Sequence, residues 1–147
     1  MPKRYVAELQ RLQSDAAANY LLLQRLWQQA EEEQISFGLR AQEQDLGCLT
    51  LSLLEQSRWT QVLELHLTLI TQDYLAPALM QVRVYQDLRL AEVIAYQKRQ
   101  VREGRYAYPN AGMFHPDEKV QVNSFLKDML QFTLDKGYSL TEEVSRD

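Results

Sequence analysis

Residues 34–69 read QISFGLRAQEQDLGCLTLSLLEQSRWTQVLELHLTL, and within them the spacing of apolar residues drops from the helical period to two. Ile35, Phe37, Leu39 and Ala41 alternate with Ser36, Gly38, Arg40 and Gln42. Leu49, Leu51 and Leu53 alternate with Thr50 and Ser52, and Leu63, Leu65, Leu67 and Leu69 with Glu64, His66 and Thr68. Successive side chains of a strand point to opposite faces, so each run predicts a strand with one buried and one wet face. The first two strands are expected to turn near Gln44, Asp45 and Gly47, and the second and third at Gln56 and Ser57. Connections this short require antiparallel neighbours.

Working outward, residues 74–77 read as a loop, because Pro77 disfavours helix at Ala76. A fourth strand is expected over 79–85, a turn at Gln86 and Asp87, and a fifth strand over 90–96. On the N-terminal side, Tyr5, Leu9, Leu12, Ala16, Tyr20, Leu23, Trp27 and Ala30 recur in steps of three and four, the mark of an amphipathic helix. Its other side, with Arg11, Gln13, Asp15, Gln24 and Gln28, reads as a solvated face, and Glu31, Glu32 and Glu33 as the helix exit. On the C-terminal side, Pro116 suits a first helical turn and Asp117 and Glu118 favour a helix N-terminus. Val122, Phe125, Leu126, Met129, Leu130 and Thr133 make the apolar stripe, and Gly137 the stop.

The resulting expectation is an α+β fold: an N-terminal helix, a five-stranded antiparallel meander, and a C-terminal helix, with both helices on one sheet face. A single domain over residues 1–147 accounts for everything, divided into helix 5–30, sheet 34–97, basic loop 98–114, helix 116–136 and disordered tail 141–147. A chain of this length buries enough surface for a core without staples. Its single cysteine, Cys48, has no internal disulfide partner and reads as a small core or surface thiol. Metal chemistry is disfavoured, since His66 and His115 have no ligand spacing and a zinc site needs three or four ligands. No cofactor is expected. The charged start MPKRYVAELQRL lacks the apolar region of a signal peptide, and no apolar run is long enough to span a bilayer. A cytoplasmic protein without membrane attachment is therefore expected.

Sixteen basic against twenty acidic residues give a net charge of -4, which argues against general nucleic-acid binding. One region is locally basic: Lys98, Arg99, Arg102 and Arg105 stand against Glu103 alone. Beside it lie the residues most suited to recognition. Gln81, Arg83 and Tyr85 share one face of the fourth strand, and Leu90, Glu92, Ile94 and Tyr96 share one face of the fifth. Arg83 and Glu92 could form a cross-strand ion pair, but a two-residue turn would set Arg83 against Leu90 and leave the register open. An arginine fork beside tyrosines suits an anionic or planar partner, and Tyr106, Tyr108 and Asn110 would extend such a surface. Alternatively the tyrosines pin the basic loop to the domain. Asp117 and Lys119 sit in the first turns of the last helix, where acids are ordinary capping residues.

Several separated motifs together resemble a known family. The runs KRYVAELQRLQSDAAANYLLLQRL, LLEQSRWTQVLEL, VRVYQDLRLAEV, RYAYPN and DEKVQVNSFLKDML occur in an order and at spacings similar to the YqiB-like family of uncharacterised proteobacterial proteins. The resemblance covers residues 3–140. It implies a small cytosolic bacterial protein, encoded beside enzymes of nucleotide metabolism, with no assigned catalytic residue. Its recurring positions fall on Arg58, Arg83, Tyr85, Asp87, Glu92, Tyr106, Tyr108, Pro109, Asn110, Asp117, Glu118, Lys119, Gln121 and Asn123. The chain departs from the family in the glutamates around residues 28–34 and in its acidic tail.

The leading expectation is a non-enzymatic binding or regulatory module whose partner, a protein or an anionic small molecule, meets Arg58, Arg83, Tyr85, Glu92, Arg105, Tyr106, Tyr108, Asn110, Asp117 and Lys119. The alternative is a sensor or enzyme for a phosphorylated or nucleotide-like ligand clamped by Arg58, Arg83 and Arg105, with Glu92 or Asp117 as base. RNA binding through the basic loop ranks lower. A homodimer through the open sheet face or the long first helix is a further expectation.

Overall fold

A computed structural model describes residues 3–27, 33–71, 74–100, 105–107 and 116–140. Helix α1 (Lys3–Trp27) leads into strands β1 (Gln34–Ala41), β2 (Gln44–Gln56), β3 (Thr60–Thr71), β4 (Tyr74–Tyr85), β5 (Leu90–Gln100) and β6 (Arg105–Ala107). Helix α2 (Pro116–Lys136) and strand β7 (Gly137–Ser139) follow. β1 to β6 form an open antiparallel meander, joined by β7 at the β1 edge, in the order β6-β5-β4-β3-β2-β1-β7. The expected five strands are present, and two three-residue edge strands add to them.

Period-two alternation decides which face is dry. Leu49, Leu51, Leu63, Leu65, Met80 and Val82 are fully buried on one face. Leu23 and Leu26 of α1 and Leu126 and Leu130 of α2 join the same core, so both helices cover that face. Each such side chain contributes roughly 1.5–3 kcal/mol on leaving water. The stripe expected on α2 is buried at Val122, Leu126, Met129, Leu130 and Thr133. No helix among the described residues is long and apolar enough to cross a membrane.

The turns depart from expectation in instructive ways. β1 and β2 reverse at Gln42 and Glu43, not at Gln44–Gly47, and both turn residues have positive φ (53° and 63°). That is the backbone of a two-residue turn matched to strand twist, formed here without glycine. Gly47 instead lies within β2 at φ 139°, where a Cβ would overlap the Thr68 carbonyl of β3. The segment 74–77 is strand rather than loop, with Pro77 opposite Thr68. Pro77 is tolerated because β4 is an edge there: its pairing with β5 begins only at Ala78.

Two further corrections concern faces. Asp15 is not on a solvated side of α1: its side chain is 2% exposed, facing α2, where Lys127 Nζ donates to Oδ1 at 2.8 Å. Tyr96 does not share the face of Leu90 and Glu92. A bulge between Gln81 and Val82 leaves Ile94 without an opposite residue, so Tyr96 pairs with Met80 and packs edge-on against Phe125 with ring centroids 6.3 Å apart. The basic loop also begins later than expected, since Lys98 and Arg99 belong to β5 and Arg105 to β6. The expected helical end at residues 28–30, the rest of the loop and the tail 141–147 lie outside the described residues.

Candidate functional site

Four of the expected residues meet on the outer sheet face near one end of β4 and β5. The β4–β5 connection spans Gln86–Arg89, with Arg89 at φ 55°, and closes on Tyr85 opposite Leu90. This four-residue loop, longer than the two-residue turn first considered, places Arg83 opposite Glu92. The expected Arg83–Glu92 ion pair nevertheless does not form. Tyr85 donates its hydroxyl to Glu92 Oε1 at 3.0 Å, and Lys119 Nζ from α2 stands 3.6 Å from Glu92 Oε2. With both oxygens of Glu92 committed, Arg83 has no hydrogen bond or ion pair among the described residues.

Arg83 and Tyr85 line a concavity of about 340 Å³ with Glu55, Gln56, Ser57, Thr60 and Val62. Its floor follows from pairing: Val62 of β3 lies opposite Arg83 and is buried at 6% although it belongs to the outer face. Its wall is the β2–β3 turn. There Ser57 donates its main-chain N–H to the Thr60 carbonyl at 2.8 Å, and the Ser57 and Thr60 hydroxyls are also hydrogen-bonded to each other. The Gln86 N–H donates to the Trp59 carbonyl at 2.8 Å, locking this turn to the β4–β5 loop. Tyr20 of α1 donates to Gln86 Oε1 at 3.0 Å, and Gln86 Nε2 donates to Gln61 at 3.1 Å, so the same end of the sheet is tied to the helix layer.

The site thus presents an uncommitted guanidinium, the Glu55 carboxylate, the Gln56 amide and two hydroxyls. The hydroxyls are engaged with each other rather than with a general base, so the arrangement offers recognition more readily than nucleophilic attack. Among the described residues no group of three or more His, Cys, Asp or Glu could hold a metal ion.

The remaining expected residues do not join this cluster. Arg58 occupies the β2–β3 turn, with its guanidinium 5.1 Å from the centre of the Trp59 ring. Asp117 lies in the first turn of α2. Arg105 and Tyr106 sit on β6 opposite Gln100 and Arg99. The run from Glu92 to Gln100 spans roughly 25 Å at about 3.3 Å per residue, so the main chain of Arg105 stands well apart from that of Arg83. Tyr108 and Asn110 lie outside the described residues. Glu55, Gln56, Ser57 and Thr60 were not anticipated as site residues; the polar run EQSR at the second tight connection was the only sign of them.

Comparison with known proteins agrees with the resemblance carried by the motifs. The model of a family described as "Protein of unknown function (DUF1249)" matches residues 22–139. The uncharacterized protein YqiB of Escherichia coli K12 is 31% identical over 144 residues, covering 92% of this chain and 94% of the relative. YqiB of the O6:H1 and O157:H7 strains matches with the same figures. No solved structure matches significantly.

Proposed function

The chain belongs to the DUF1249 family, and from that premise we propose that it is a non-enzymatic binding or regulatory module whose ligand presents an anionic group to Arg83. One observation carries this reading. Glu92, the natural cross-strand partner of Arg83, is engaged by Tyr85 and Lys119, which leaves the guanidinium on the rim of a concavity without a partner among the described residues. A planar guanidinium fork recognises carboxylate or phosphate in a bidentate manner, and Ser57, Thr60 and Gln56 add polar groups beside it.

A nucleotide-like ligand is the second reading. Trp59 in the β2–β3 turn is 53% exposed and the Arg58 guanidinium lies over its ring, an arginine–aromatic pair on which a base can stack beside a phosphate.

Thermal-shift screening of the intact chain against nucleotides, sugar phosphates and dicarboxylates, followed by calorimetric titration, tests both. A ligand present at about 100 times its Kd stabilises by about 2.7 kcal/mol. Binding should disappear in Arg83→Ala. Loss of nucleotide binding in Trp59→Ala, with simple anions unaffected, would favour the second reading. Ligands bound equally by wild type and Arg83→Ala would refute the site. No shift with any nucleotide at millimolar concentration would remove the nucleotide reading.

A further inference from the structure

On the opposite face of the sheet, α2 leaves an apolar hollow above the buried core. Between it and β1, β2 and β3 lies a concavity of about 420 Å³, walled by Leu39 and Leu67 from the sheet and by Phe125 and Met129 from the helix. That volume falls within the ordinary range for small-molecule pockets, and apolar walls with few polar groups are their usual composition. Ile70, 50% exposed, and Phe132, 36% exposed, line the same space and bring apolar surface out to solvent. Among the described residues Asp128 is the only charged one in the lining. It is exposed and makes no hydrogen bond or ion pair among the described residues.

We propose that this concavity binds a small apolar molecule carrying one cationic amine, with its body against Leu67 and Met129 and its ammonium beside Asp128. Charge selects the occupant. An apolar wall accepts any hydrocarbon, but a lone carboxylate at the rim repels a fatty acid and attracts an alkylammonium ion. Phe125 and Phe132 in the lining add aromatic surface. The site is independent of Arg83, which lies across the sheet and favours the opposite charge.

The probes are decyltrimethylammonium, decanoate and decanol, titrated below their micelle concentrations into the intact chain and followed by calorimetry and by the methyl NMR signals of Leu39, Leu67 and Met129. Decyltrimethylammonium should bind saturably at one per chain, shift those signals, and bind roughly tenfold more tightly than decanoate, through Coulomb attraction to one carboxylate rather than a hydrogen bond. Asp128→Asn should erase that preference while leaving decanol binding unchanged. Met129→Trp, which fills the space, should abolish binding of all three. Ile70→Trp blocks the opening from an exposed position, so it keeps the test valid if the buried variant fails to fold. Absence of saturable binding, equal affinity for decanoate and decyltrimethylammonium, or full binding in Ile70→Trp would overturn the proposal. So would a probe-independent dimer whose interface shifts the same methyl signals, since the groove would then serve self-association.

Discussion

Asn123 on α2 accepts the main-chain N–H of Val93 on β5 through its side-chain oxygen at 2.9 Å. The bulge that displaces Ile94 breaks the β4–β5 ladder beside Val93, and the side chain of Asn123 supplies an acceptor there. Its amide group donates to the Lys119 carbonyl at 2.8 Å, and its own carbonyl accepts Asn19 Nδ2 at 3.2 Å. The fully buried side chain thus ties α2 to β5, while the main chain of the same residue takes the bond from α1. Asn123→Ala leaves the buried Val93 N–H without this acceptor, so a loss of about 1–3 kcal/mol is expected in urea unfolding. Asn123→Leu, alike in branching but without polar atoms, should recover little of it. A cost below 0.5 kcal/mol, on the scale of an ordinary surface change, would show that this bond is dispensable.

Lys127 and Asp15 make another polar tie between the helices, with Arg11 Nε 3.9 Å from the second oxygen of Asp15 and Arg11 also donating to the Ser124 hydroxyl at 2.8 Å. The Asp15 side chain is 2% exposed and that of Lys127 is 39% exposed. Removing one member of a fully buried pair costs about 3–5 kcal/mol, and solvent access to Lys127 reduces this, so Lys127→Ala should cost about 2 kcal/mol. In an Asp15→Asn background the same change should cost under about 1 kcal/mol, because no buried charge is stranded. Equal costs in both backgrounds, measured by a double-mutant cycle in denaturant, would reduce the contact to packing.

Gly38 and Gly47 differ in what they make room for, and their substitutions should differ accordingly. A Cβ on Gly38 would meet the ring of Tyr138, a side chain that also lies under Arg40 with 5.4 Å from guanidinium carbon to ring centre. Gly38→Ala should destabilise by about 1 kcal/mol in the wild-type background. With Tyr138→Ala present it should instead stabilise by roughly 0.4–1 kcal/mol, through the lower entropy of the unfolded chain. At Gly47 the obstacle is the main chain of β3 and the φ is positive, so Gly47→Ala should cost about 1–3 kcal/mol or more. Trimming a neighbouring side chain should not rescue it. Melting temperatures of the four variants decide both points.

Features with a local cause were readable from the chain. The period-two runs place Leu49, Leu51, Leu63 and Leu65 on the dry face, and the 3.6-period stripe on α2 is buried where expected. Features whose cause lies far away in sequence were not. Asp15 looked solvated because its partner Lys127 is 112 residues distant, and no helical period announces a buried charge. Tyr96 was assigned the wrong face because alternation counts residues, while the bulge at Ile94 shifts the count by one. Arg83 and Glu92 were recognised as candidates, yet their relation depended on whether the loop held two residues or four, and only the hydrogen bonds of Tyr85 and Lys119 show why they stay apart. The groove beside α2 left no trace at all: Leu39, Leu67 and Met129 read as ordinary core and are buried, and only the exposure of Ile70 and Phe132 beside them marks the hollow.

The displaced Tyr96 also makes the alkaline limit of the fold testable. Half-buried between β5 and Phe125, its phenol is pushed above the ordinary tyrosine range because burial disfavours the phenolate. Below about pH 10 the phenol is neutral in both folded and unfolded chains, so its titration contributes no pH dependence there. Above that, the unfolded chain gives up the proton while the folded chain retains it. Stability therefore falls as pH rises from the unfolded value toward the raised folded value. Tyr96→Phe should leave stability at pH 7 within about 1 kcal/mol, since neither ring carries charge there and the volumes are close. It should flatten the decline above about pH 10 and remove a phenol that titrates above the ordinary tyrosine range from the ultraviolet titration of the native protein. An unchanged alkaline slope in Tyr96→Phe would mean that another group sets the limit.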